Sequence, residues 1–135
     1  MTMMKSSMIM QYAENTNDIL FATFADNVKI DLTQAIEIVI HRLEFTNHKK
    51  HYLIIDVSRV REITTEAKEY LQCADTGLKN IMGAAFIADN PVAVLFANIF
   101  IKTPMDFKAR LFDDPERAFK WIKEYKQQTR PVTDR

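Results

Sequence analysis

Glycine is almost missing from this sequence: only Gly77 and Gly83 occur in 135 residues. A phosphate-cradling P-loop or a dinucleotide fingerprint needs several glycines at fixed spacing, because the backbone must approach the phosphate closely. Neither pattern is present, which excludes the usual nucleotide-binding modes. Cysteine is scarcer still. The single Cys73 closes no intrachain disulfide, which fits a reducing compartment. Charge of one sign does not predominate, since eighteen Lys and Arg balance eighteen Asp and Glu. Nucleic-acid binders carry a basic excess or a clustered stripe. The densest basic cluster here, Lys49-Lys50 between His48 and His51, is too small to hold a phosphodiester backbone. Long apolar runs are also lacking. The longest, Val92 to Ile101 with Asn98 inside it, falls well short of the ~20 residues that span a bilayer. The methionine-rich start (Met1, Met3, Met4, Met8, Met10) has no apolar core of the signal-peptide kind. These absences point to a cytoplasmic protein with no membrane span and no nucleic-acid partner.

What is present is an alternation of short apolar runs with helical patterns. Hydrophobic residues make up 47% of the chain, and a chain of this length buries roughly two-thirds of its unfolded surface. A single domain over 1–135 is expected, with 1–6 and 128–135 as loose termini. Strands are predicted near 8–13, 19–24, 52–57, 83–88 and 108–112, the first two as a hairpin across the turn formers Glu14-Asn-Thr-Asn-Asp18. Tyr52-Leu-Ile-Ile-Asp-Val57 is apolar enough for a central strand buried on both faces.

A first helix is expected over 32–45, capped by Asp31 with Gln34, with Leu32, Ile36, Val39, Ile40 and Leu43 on its buried stripe. A second should follow Thr64, with Ala67, Tyr70, Leu71 and Ala74 on one face and Gly77 ending it in a left-handed conformation. A third opens at Asp89-Asn90-Pro91. In the fourth, Ala118, Trp121, Ile122 and Tyr125 form the stripe. The predicted fold is α/β, a five-stranded mixed sheet with about four helices in the order ββαβαβαβα.

The chemistry-bearing residues are scattered. His48 and His51 are three apart but lack a third ligand, so a solvated connection between helix and strand accounts for both. His41 falls on the polar side of the first helix, and Cys73 reads as a small buried or half-buried residue. Asp56 and Asp89 would share the carboxyl edge of a parallel sheet, where ligands bind. Capping of loops and helix starts explains them as well, and also explains Asp113 and Asp114. No catalytic residue, metal site or cofactor is expected.

Several segments resemble the SpoIIAA-like (STAS-like) domains. Leu53-Ile-Ile-Asp-Val-Ser58, followed by Val60, Ile63, Thr64 and Thr65, is similar to that family's buried strand leading to a helix start. Thr65-Glu-Ala-Lys68, Ala97-Asn-Ile-Phe100 and Leu111-Phe-Asp-Asp-Pro-Glu-Arg-Ala-Phe-Lys-Trp-Ile122 look like a poorly characterised bacterial branch of it. The resemblance implies a non-enzymatic regulatory or protein-interaction module. It also implies a phospho-acceptor at Thr65, with Thr64 beside it, although Thr64 replaces the family's Asp and no Gly follows. The alternative is a small carrier or sensor of a hydrophobic ligand, since related folds are often grouped with lipid-binding domains.

The third helix is apolar on every side apart from Asn98. An outer helix normally keeps a polar face towards water. Val94, Leu95, Phe96, Ile99, Phe100 and Ile101 are therefore the candidate interface or apolar pocket. The expected cover is a protein partner or a second copy in a homodimer, with an apolar ligand as the substitute.

Overall fold

The computed structural model describes residues 8–129. The elements run β1 (Met8–Tyr12), β2 (Ile19–Phe24), β3 (Val28–Ile30), α1 (Leu32–Phe45), β4 (His51–Asp56) and β5 (Val60–Ile63). They continue as α2 (Thr65–Leu71), β6 (Ile81–Ile87), α3 (Pro91–Ile101), β7 (Ala109–Phe112) and α4 (Pro115–Thr129). Five strands form the main sheet in the order β1-β2-β4-β6-β7, with β1 antiparallel and the others parallel. The α/β fold with a five-stranded mixed sheet and four helices is the one expected. Two strands were not anticipated: β3 and β5 pair in parallel as a separate small sheet.

Alternation along the central strands divides the core in two. Leu53 of β4 and Ala84 and Phe86 of β6 face a layer containing α1, α2 and α3. Tyr52, Ile54, Ala85 and Ile87 face the other way, onto Ala118 and Ile122 of α4. Side-chain caps begin all four helices. Asp31 Oδ1 accepts the Gln34 N–H (2.9 Å), Thr64 Oγ1 that of Ala67 (3.2 Å), Asn90 Oδ1 that of Ala93 (2.9 Å) and Asp114 Oδ2 that of Arg117 (3.1 Å).

The buried stripe of α1 differs from the expected one. Ala35, Ile38, Val39 and Arg42 face inward, whereas Leu32 and Ile40 are 40% and 49% exposed. The two stripes have the same period and differ in phase, and the charge on Arg42 conceals the true one. Gly77 also behaves differently from expectation. α2 ends at Leu71, Ala74 lies beyond it and is exposed, and no glycine has positive φ. Glycine is required at 77 for closeness: a Cβ there would lie 2.0 Å from the Leu71 carbonyl oxygen. The left-handed positions fall instead to Asn15, Asn27, Asn47, His48 and Asn80, residues other than glycine that tolerate this conformation relatively well. Of the expected loose termini, 1–6 and 130–135 lie outside the described residues, while Gln128 and Thr129 close α4.

Candidate functional site

α3 leans on the sheet through Ala93, Phe96, Ala97 and Phe100, all buried. Phe100 stacks on Phe86 at 5.9 Å between centroids and meets Phe96 edge-on at 5.0 Å. Phe96 and Phe100 are thus core residues and line an apolar cavity of about 70 Å³ beneath the helix. Val94, Ile99 and Ile101 are half-buried against the same core, and Ile101 does not line the cavity. The outward apolar residues are Val92 and Leu95, at 54% and 69% exposure. Beside them a groove of about 180 Å³ runs between α3 and β5, walled by Val60, Ile63, Val92, Leu95, Phe96 and Ile99. Arg61 and Glu62 complete its rim with one charge of each sign.

β5 leads from this groove directly into α2, where Thr64 is the N-cap and Thr65 the first helical residue. The Thr64 hydroxyl already accepts the Ala67 N–H. Thr65 is exposed. Asp56 closes β4 and Asp89 stands just past the end of the adjacent parallel strand β6, and both are occupied in local contacts. Asp56 Oδ1 accepts the Ser58 N–H at 2.9 Å, while Asp89 Oδ1 accepts from the Asn90 side-chain amide at 3.2 Å and the Asp89 backbone N–H donates to the Ser58 hydroxyl. Among the described residues no three His, Cys, Asp or Glu are grouped to hold a metal. No helix described is long and apolar enough to cross a membrane. Cys73 is exposed, contrary to expectation, because it lies in the turns that follow α2 rather than on that helix's buried face.

His48 and His51 are not a pair. His48 is exposed in a left-handed turn, and His51, expected in a solvated connection, is 1% exposed at the start of β4. Its Nδ1 lies 2.9 Å from the Lys49 carbonyl and its Nε2 2.9 Å from Arg42 Nη1. A carbonyl only accepts and a guanidinium only donates, so the ring is neutral, with its proton on Nδ1. Burial pushes the His51 imidazole down to about 4, and the Arg42 charge adds to this against the bond to Lys49. Arg42, 2% exposed, also donates to the Lys79 and Gly77 carbonyls at 2.9 and 3.0 Å. Burial lowers its pKa to about 10, so it stays charged at neutral pH. Among the described residues no carboxylate pairs with it. Sequence reasoning missed this cluster; the signal was the 35-38-39-42 spacing, which puts Arg42 on the buried face.

The model of a domain of unknown function, DUF7793, matches residues 13–126. No curated protein matches. A solved structure of an uncharacterized DUF3478-family protein with a SpoIIAA-like fold, from Shewanella loihica PV-4, superposes with a TM-score of 0.65 at 12% identity. The match covers 90% of this chain and 98% of that one. The SpoIIAA-like architecture expected from the sequence is thereby shown, at an identity that speaks for the fold alone.

Proposed function

The chain belongs to the DUF7793 family, and from that premise we propose that it is a non-enzymatic regulatory module that acts by binding a protein through the outer face of α3. The observation that carries this reading is Leu95, 69% exposed beside an apolar groove. Burying such a side chain contributes about 1.5–3 kcal/mol, so the face favours a cover. A second copy of the chain is the proposed cover, because a patch with one cation and one anion on its rim complements itself across a two-fold axis. Thr65 is the proposed phospho-acceptor. It is exposed one residue past the Thr64 cap, and a phosphate there would change the charge beside the groove.

Carriage of a bulky lipid has less support. The cavity under α3 holds about 70 Å³, against the ~300–1,000 Å³ of pockets that enclose drug-sized ligands.

Sedimentation velocity of the wild type and of Leu95→Asp tests the reading. The wild type should sediment as a dimer and the variant as a folded monomer with an unchanged circular-dichroism spectrum. A wild type that stays monomeric at high concentration and is unaffected by Leu95→Asp defeats it.

A further inference from the structure

The main sheet has two edges, and they are finished differently. At one edge, β7 carries Arg110, with Lys108 just ahead of it and Asp113 just behind. Charged side chains of this kind keep other strands off an edge. At the other edge, β1 reads Met-Ile-Met-Gln-Tyr, with no charge and no proline. Its register with β2 runs from Met8↔Phe24 to Tyr12↔Leu20 without a bulge. This edge is regular and unguarded.

The register also tells which backbone groups of β1 are spent. Just beyond Tyr12, the Ala13 N–H donates to the Ile19 carbonyl at 2.7 Å. Bonded and non-bonded pairs alternate along an antiparallel ladder. Gln11 and Ile9 therefore bond to β2, and Met8, Met10 and Tyr12 turn their N–H and C=O groups away from it. Among the described residues these outward groups have no partner. Apolar side chains flank the edge on both faces of the sheet. Ile9 is 60% exposed on the α4 side. On the α1 side Phe45 is 38% exposed, its ring 5.3 Å from that of Tyr12. Carboxylates mark one end. Glu14 follows the strand and Glu44 precedes Phe45; both are exposed, and neither is in an ion pair among the described residues. Of the lysines that share a hollow with Glu14, Lys126 is held by Asp18 and Lys123 lies over the Phe119 ring.

We propose that the β1 edge accepts an extended segment of another protein as a sixth strand. A row of alternating donors and acceptors is matched by extended backbone, which supplies the affinity. The segment runs antiparallel to β1, the commoner and slightly more stable pairing. It is apolar where it faces Met8, Ile9, Met10 and Tyr12. Antiparallel pairing brings its amino-terminal end to Glu14 and Glu44, so that end is basic. A foreign strand is chosen over a second copy because a second two-fold contact on the same chain would build assemblies larger than a dimer. That choice alone rests on the proposed α3 dimer; the edge itself is independent of it.

The probe is the peptide acetyl-Lys-Thr-Val-Thr-Val-Ile-Val-amide, titrated into the wild type and into Leu95→Asp and followed by amide NMR and hydrogen exchange. In the free chain the Met10 and Tyr12 amides should exchange fast and those of Ile9 and Gln11 slowly. The peptide should protect Met10 and Tyr12 equally in both proteins, which separates this site from the outer face of α3. N-methylation of the peptide's central Val, whose N–H points at β1, should weaken binding about fivefold. N-methylation of the next residue, Ile, whose N–H points away, should leave binding unchanged. Ile9→Lys, at an exposed position, should weaken it, and so should Glu in place of the peptide's lysine. The proposal is overturned if millimolar peptide leaves the β1 amides unmoved, or if Met10 and Tyr12 are already protected in the free chain. It is equally overturned if the two N-methyl peptides bind alike, or if the Glu peptide binds as tightly as the Lys peptide. Shifts of the β1 amides with protein concentration alone would make a second copy the occupant and also defeat it.

Discussion

Among single residues, the heaviest demand falls on Arg42. One guanidinium serves the Gly77 and Lys79 carbonyls and the His51 ring, joining α1 to the start of β4 and to the turns before β6. The planar fork suits three acceptors at fixed angles in a way an ammonium does not. His51 makes this junction sensitive to pH. Its folded pKa, about 4, lies below the ordinary 6.5, so the unfolded chain binds the extra proton. The stabilisation is complete above pH 6.5 and is lost as pH falls towards 4. The loss approaches about 3 kcal/mol at the lower limit. Urea unfolding of the wild type between pH 7 and 4.5 should show stability falling with acidity, and His51→Gln should flatten the slope. An equal slope in both proteins would contradict the assignment. Little of this was legible in the sequence. His51 sits among lysines, which reads as solvent, and only the tertiary fold brings Arg42 over it.

Among elements, α1 and α3 show how far periodicity reaches. Spacing and Asp31 identify the fourteen residues of α1 as a helix, yet two interleaved apolar stripes compete there. The structure chooses the one containing Ala35 and Ile38. Ile38→Ala should therefore cost about 2–4 kcal/mol, and Ile40→Ala no more than ~0.5 kcal/mol, measured by chemical denaturation. Comparable losses would mean the helix is rotated from its described setting. α3 poses the opposite difficulty. A helix that is apolar on all sides has no phase, so its composition marks it as unusual without saying which residues face out. Packing resolves this, sending Phe96 and Phe100 inward and leaving Val92 and Leu95 outside. β3 and β5 leave no legible signal, because three and four residues with charges between the apolar ones make too short an alternation.

Across the whole molecule, the main sheet was readable because β4 and β6 are continuous apolar runs, which a strand covered on both sides requires. The long-range groupings were not. Which loops meet around a cavity depends on crossovers that no local pattern encodes. Gly83 illustrates the point. A Cβ at this position would fall 2.4 Å from the Tyr125 ring, so its small size serves a side chain of α4 far along the sequence.

The two-sided core also has a consequence in time. Three helices share one face of the sheet, whereas among the described residues α4 covers the other alone, anchored by Ala118, Ile122 and the stacked Trp121 and Tyr125. Lifting α4 uncovers its own face of the sheet and leaves the helices of the opposite layer in place, so α4 can open as a unit of its own. Native-state hydrogen exchange should find the α4 amides exchanging through a sub-global event, at a lower free energy than the amides of β4. Exchange of both at the same free energy would mean that the sheet couples its two faces into one cooperative unit.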